Sequence, residues 1–267
     1  MNGARTGAIV LRHFYLLRGS LTRVVPLFIW VAIDIVLWGY ITRYLNAVAG
    51  ATFDFVPVLL GAVLLWDFCS RVMHGVSTAF FEDVWSRNFV NLFSTPLSLS
   101  EYLGGLVVSS MITSAVGVAV MLVLAAGVFG LSVLGHGLAI FPFALILFLF
   151  GVALGILGSG VVLRLGPAAE WFVWPIPALV SPFVGVFYPL ATLPPWMQHF
   201  ARLLPPSYVF EGLRTILARG ATPLDMLTLG AVLAAMDVAI ACWFFARIYR
   251  HAVQTGLLAR YTAESVS

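Results

Sequence analysis

The stretch from Tyr188 to Arg214, YPLATLPPWMQHFARLLPPSYVFEGLR, limits the fold more than any other. An apolar run enters it and the apolar character continues, yet a helix cannot. Pro189, the Pro194-Pro195 pair and the Pro205-Pro206 pair each remove a backbone donor and clash with the preceding turn. Two short amphipathic helices fit between the breaks. Trp196, Phe200, Leu203 and Leu204 share one face, with Gln198 and Arg202 away from it. After Ser207, the residues Val209, Leu213, Ile216 and Leu217 form a second face, and Glu211 sits one turn before Arg214. Irregular backbone in apolar surroundings is tolerated only where protein or water satisfies it. Residues 188–220 therefore read as a re-entrant or interfacial lid.

The rest of the chain supplies the apolar surroundings. Of its 267 residues 61% are hydrophobic and 9% charged, with a mean hydropathy of +1.03. Soluble domains carry about 25% charged residues. At about 20 residues per span, the length suits six crossings. The expected fold is an all-α polytopic membrane protein, one permease-sized domain over residues 1–267, with six transmembrane helices. The formal charge of +3 is spread along the chain and argues against nucleic acid as a partner.

All fourteen basic residues are Arg. Without Lys there is no phosphate-binding loop of the GxxxxGK[ST] type and no Schiff-base chemistry. Cys69 and Cys242 lie far apart in apolar runs, which argues against a disulfide framework or a zinc site. The first residues lack the short apolar core and small-residue cleavage site of a signal peptide. Zincin, nucleophile-elbow and paired-carboxylate motifs are absent, and Gly158-Ser159-Gly160 reads as helix packing because no base is placed for it. The chain is not expected to be an enzyme, and no metal site is expected.

Taken in order, residues 4–24 predict an amphipathic interfacial helix. Val10, Phe14, Leu17, Leu21 and Val24 cluster on one face, Arg5, Arg12 and Arg23 opposite, and Arg18 flanks the apolar side. The first span runs near 24–41 and holds Asp34, with Trp38 and Tyr40 as interfacial rings. The second, near 55–81, holds Asp67, Arg71 and His74 on one face. Charges at that depth point into protein or water. They read as a proton or substrate relay, or as an ion-paired cluster of Asp67 with Arg71 and Asp34.

Residues 81–101 form a polar loop opened by Glu82 and Asp83, with Arg87 inside it. Trp85, Phe89 and Phe93 follow at spacings of four, and Pro96 breaks the helix before Ser100 and Glu101 start the next. The stripe is either a knob for a partner's groove or a set of headgroup-level aromatics. The third and fourth spans, near 102–134 and 138–163, meet at Gly135-His136-Gly137. Gly151 and Gly155 permit close helix approach. The fifth, near 170–187, contains Pro175, Pro177 and Pro182 and should be irregular. The sixth, near 224–249, carries Asp237, expected to be buried and hydrogen-bonded.

Arg5, Arg12, Arg18, Arg23, Arg87, Arg164, Arg247, Arg250 and Arg260 fall on one side of such a topology. Arg43, Arg202, Arg214 and Arg219 fall on the other. The positive-inside rule then puts both termini and the 81–101 loop in the cytoplasm and the lid outside. The arginines of the lid itself run against this bias.

These features resemble the permease subunit of ATP-binding-cassette exporters of the second type, a family of polysaccharide, teichoic-acid and drug exporters. The resemblance rests on the amphipathic N-terminal helix and on Ser94-Thr95-Pro96-Leu97 with Glu101. It rests above all on Tyr188-Pro189, Leu193-Pro194-Pro195-Trp196, Pro205-Pro206-Ser207-Tyr208 and Glu211-Gly212-Leu213-Arg214. It implies an ATPase-coupling element built from Glu82, Asp83, Trp85, Arg87, Phe89, Phe93 and Pro96. It also implies an exit gate of Tyr188, Pro189, Pro194, Trp196, Phe200, Tyr208, Glu211 and Arg214. Asn88-Phe89-Val90-Asn91 departs from the family's Gly-Thr-Leu-Glu-like run. The implied partners are two cytoplasmic nucleotide-binding ATPase subunits, a second permease copy and the lipid bilayer of the cell membrane. ATP and Mg would be bound by the ATPase subunits and no cofactor by this chain. The implied cargo is amphipathic, lipid-linked or glycan. An ion-coupled secondary transporter using Asp34, Asp67 and Asp237, or a non-transporting assembly subunit, is the alternative; a paired internal repeat of broken helices, usual in secondary transporters, is not visible.

Overall fold

The computed structural model describes residues 2–19, 21–49, 59–86, 91–92, 94–130 and 137–256, and the regular elements among them are all helical. α1 (Gly3–Arg18) precedes α2 (Leu21–Ala49), α3 (Gly61–Trp85), α4 (Leu99–Phe129) and α5 (Gly137–Leu165). Two short helices follow, α6 (Glu170–Val173) and α7 (Ile176–Val180). Then come α8 (Pro195–Ala201), α9 (Pro205–Arg219) and α10 (Leu224–Gln254). Among the described residues, Leu99–Phe129, Ala139–Leu165 and Leu224–Gln254 are long and apolar enough to cross a membrane.

α5 is the central helix, packed against α3, α9 and α10. Its glycines make this possible. A Cβ at Gly151 would stand 2.7 Å from the Cys69 carbonyl oxygen, and one at Gly155 would stand 2.7 Å from Val76 Cβ. The small-xxx-small spacing thus brings α5 against the α3 backbone, as expected from sequence. Ser159 is buried and donates to the Gly155 carbonyl at 2.8 Å, which is a packing role. Around this seam Val72, Met73, Val76 and Phe80 of α3 meet Val152, Ala153 and Ile156 of α5 and Phe245 of α10. A second cluster joins Trp66 and Cys69 to Phe143, Leu147 and Phe150 and to Val209, Phe210, Leu213 and Ile216 of α9.

Several boundaries differ from those expected, each for a local reason. α1 stops at Arg18, and α2 is a separate helix from Leu21, so residues 4–24 are not one helix. α3 continues to Trp85, so Glu82, Asp83 and Trp85 form its last turn rather than a loop. α4 is capped by Ser98, whose Oγ accepts from the Glu101 amide while the Glu101 carboxylate accepts from the Ser98 amide. That reciprocal box starts the helix before Ser100. Gly130, at φ 69°, ends it before the expected Leu134. The fifth segment is broken as its prolines require, into α6, α7 and turns.

α1 lies on α4, burying Ile9 and His13 and half-burying Arg12. Arg5 and Arg12 ion-pair with Glu101 and Asp83. His13 is buried, its ring nitrogens against the carbonyls of Ile9 and Ala79 at 3.0 and 3.1 Å. A Cβ at Gly105 would stand 2.6 Å from Ile9, so this glycine admits the helix. Leu11, Phe14 and Tyr15 face outward, and Arg18 is exposed beside them. Asp83 and Glu101 attract the arginines inward, and an exposed apolar face is left over. The side chains of Leu21, Arg23 and Val24, the Gly135-His136 turn and Arg260 lie outside the described residues.

The seam can be checked with a pair of substitutions. Gly155→Ala is expected to cost about 1–3 kcal/mol through overpacking. Gly127→Ala, where a Cβ meets nothing within 4 Å, should be neutral or stabilise by about 0.5–1 kcal/mol. Thermal unfolding in detergent distinguishes the two; equal melting temperatures would contradict the packing account.

Candidate functional site

The proline-rich stretch is hydrogen-bonded into one connected unit. Between α7 and α8 the chain runs through turns from Ser181 to Leu193, with Gly185 at φ 68°. Its backbone is satisfied largely from α9. One Arg214 nitrogen, Nη2, donates to the carbonyls of Gly185, Val186 at 3.3 Å and Tyr188 at 2.8 Å. Nη1 donates to Glu211 Oε1 at 3.1 Å, and that oxygen accepts the Leu190 amide at 2.8 Å. Glu211 and Arg214 are one turn apart on α9, so the pair clasps both sides of the irregular segment. A guanidinium suits this task because its planar fork presents several donors at once.

The remaining lid residues close the structure on itself. Tyr188 donates through its hydroxyl to the Pro182 carbonyl at 2.7 Å, and Tyr208 to the Arg202 carbonyl at 2.8 Å. The Pro189 carbonyl accepts from the Thr192 hydroxyl at 2.7 Å, and the Pro194 carbonyl accepts the Gln198 amide at 3.1 Å. Trp196 and Phe200 meet Phe183 edge-on at 6.4 and 5.2 Å. Their outer surfaces stay exposed with Leu203, so the first amphipathic piece turns its apolar face outward. The second packs Val209, Leu213 and Ile216 inward. Phe187 stacks on Trp38 of α2 at 4.8 Å, joining the lid to α2.

At the other end of α3, Asp83 is a buried hub. It accepts hydrogen bonds from Arg12 and from the Tyr102 hydroxyl, the latter at 2.8 Å. Asp83 is therefore not a surface docking group. Glu101 ties the starts of α1 and α4 together, accepting the Asn2 amide at 2.7 Å, and Arg5 also donates to the Pro96 carbonyl. Glu82 is half-buried. Trp85 is 49% exposed and donates through Nε1 to Glu170 Oε2 at 3.0 Å. Arg87, Phe89 and Phe93 lie outside the described residues.

Inside the bundle, Arg71 Nε donates to Asp67 Oδ2 at 2.6 Å, one turn apart on α3. Asp34 of α2 acts electrostatically on both. His74 points elsewhere, its ring 5.0 Å from that of Trp174. Asp237 is half-buried and accepts no hydrogen bond among the described residues, contrary to the expectation for it. No group of three or more metal-ligating side chains occurs among the described residues.

Residues 12–218, from within α1 almost to the end of α9, match the family model of the ABC-2 type transporter. The chain belongs to that family. It is thus a membrane protein and a transport component of ATP-binding-cassette systems. No curated protein gives a significant match. In this ABC-2 chain the structure brings Tyr188, Glu211 and Arg214 together, and leaves Trp196 and Phe200 on the rim. It separates Asp83 from Trp85, one buried and one open. Sequence reasoning missed the link from Arg12 to Asp83 because the two are 71 residues apart. It missed Glu170 and Trp174 because neither stands in a recognisable spacing.

Arg214→Lys is expected to destabilise the lid by about 1.5–3 kcal/mol, since an ammonium cannot hold the same fork of carbonyls. Hydrogen exchange at residues 185–190 should rise while that of α5 does not. Unchanged protection would count against the clasp. Asp83→Ala should free α1, seen as faster proteolysis near Gly19, whereas Glu82→Ala should not.

Proposed function

We propose that this chain is the membrane subunit of an ATP-driven exporter, working as a pair of permease copies with two cytoplasmic ATPase subunits that bind ATP and Mg. The observation that carries the reading is the family match over 12–218 together with the Glu211–Arg214 clasp on residues 185–190. In this reading α2, α3, α4, α5 and α10 with the broken 170–187 segment make six crossings of the cell membrane. Both termini face the cytoplasm, as the distribution of Arg favours. Lack of Lys removes any phosphate-binding loop from this chain, so the energy comes from a separate polypeptide.

The docking element for the ATPase is the segment that follows Trp85, with Arg87, Phe89, Phe93 and Pro96. The latch of Arg12 on Asp83 and Arg5 on Glu101 holds α1 beside it, so a push on that segment reaches α1, α3 and α4 together. Rigid movement of α3 relative to α2 then acts on the lid through the Trp38–Phe187 stack. Tyr188, Pro189, Pro194, Trp196, Phe200 and Tyr208 form the outer gate, clasped by Glu211 and Arg214.

The test is co-purification. A vanadate-sensitive ATPase should co-purify with the chain. It should be lost on Phe89→Ala plus Phe93→Ala with the melting temperature kept, and retained on Trp196→Ala. Transport that follows a proton gradient without ATP would overturn the reading.

A further inference from the structure

One flank of α3 is only half covered by its neighbours. Asp67, Arg71, His74 and Trp85 follow one another along it at near-helical register. At its C-terminal end it faces α6 across an aromatic cleft. Phe81 is the buried floor, 6.0 Å from the Trp85 ring and 6.3 Å from the Trp174 ring. His74 continues the wall inward beside Trp174. Trp85 and Trp174 are 49% and 38% exposed, so their rings are open to a ligand. Glu170 stands at the mouth. One of its oxygens holds the Trp85 Nε1–H, and the other accepts no hydrogen bond among the described residues.

We propose that this α3–α6 cleft binds a cationic amphipathic substrate, its cation against Glu170 and the indole rings of Trp85 and Trp174 and its apolar body along α3. The proposal rests on the transport reading above and names its substrate class. The chemistry selects for charge. Indole faces attract cations, and more strongly once water is excluded. A carboxylate already oriented by an indole N–H supplies the counter-charge. The inner part of the flank carries the carboxyl of Asp67, which Arg71 already holds at 2.6 Å. Among the described residues the guanidinium on this flank, Arg71, is thus already held by Asp67.

A second observation lies deeper on the same flank. A Cβ at Gly117 of α4 would stand 3.3 Å from Arg71 Cδ, and Ser110 donates to the Val72 carbonyl at 2.8 Å. Ser114 lies between these positions on the same face of α4. It is buried, and its hydroxyl has no partner. Such a group in low-dielectric surroundings calls for one. Water carried in with a bound substrate supplies that partner, while the cation stays at Glu170.

The full chain in nanodiscs is tested with two ions of the same shape and opposite charge, radiolabelled tetraphenylphosphonium and tetraphenylborate, against empty nanodiscs. Saturable phosphonium binding is expected, with borate weaker by about tenfold or more. Glu170→Gln keeps an acceptor for Trp85 and removes the charge. It should weaken phosphonium binding by about tenfold, and Trp174→Phe by less. Equal binding of both ions overturns the proposal, as does phosphonium affinity unchanged by both variants. ATPase co-purification is scored on the same preparations. ATPase without phosphonium binding overturns the substrate class and leaves the exporter reading standing. Phosphonium binding sensitive to Glu170→Gln but without ATPase supports the cleft and overturns the exporter reading.

Discussion

Where a chain leaves helical geometry inside an apolar bundle, its amides and carbonyls must find partners within the protein. Here that need is greatest between α7 and α8. The guanidinium of Arg214 takes three successive-region carbonyls, and Glu211 takes the Leu190 amide. Much else follows from this. α9 must present both side chains on one face, so its opposite face is free to bury Val209, Leu213 and Ile216 against α5. α5 in turn must stand close to α3, which Gly151 and Gly155 allow. The irregular segment is therefore anchored to the close seam between α3 and α5.

The other end of the bundle uses the same device in a different setting. Arg12 reaches a buried Asp83 that also accepts from Tyr102, and Arg5 reaches Glu101 at the start of α4. Ion pairs of this kind contribute little net stability, because desolvation offsets most of the attraction. What they supply is position. They hold Arg12 against the bundle, which leaves Leu11, Phe14 and Tyr15 outward. α1, α3 and α4 are thereby tied together at one end of the bundle.

Several features were legible from residue order alone. Proline positions marked the broken fifth segment and the lid, because a missing N–H is a local property. The spacing of Gly151 and Gly155 marked the close helix pair, and the spacing of Glu211 and Arg214 put both on one side of α9. The i, i+4 pair of Asp67 and Arg71 was also local. By contrast, residues 4–24 read as one helix, where α1 ends at Arg18 and α2 begins at Leu21. The wheel shows which residues share a face, but not which face meets the protein. Ser98 rather than Ser100 caps α4 because the reciprocal bond with Glu101 selects it.

The sequence by itself determined the class of molecule. Long apolar runs with few charges specify helices in a membrane, since both facts depend on composition and local spacing only. Tertiary structure decided the roles of individual charged and aromatic groups. Asp83 became a buried hub and Trp85 an open ring although they are two residues apart. Glu170 became the acceptor for an indole 85 residues away. Arg214 became the clasp of a segment that precedes it by more than twenty residues. Such assignments depend on which helices are neighbours. That is settled by how side-chain volumes fill the bundle core, and no local pattern encodes it.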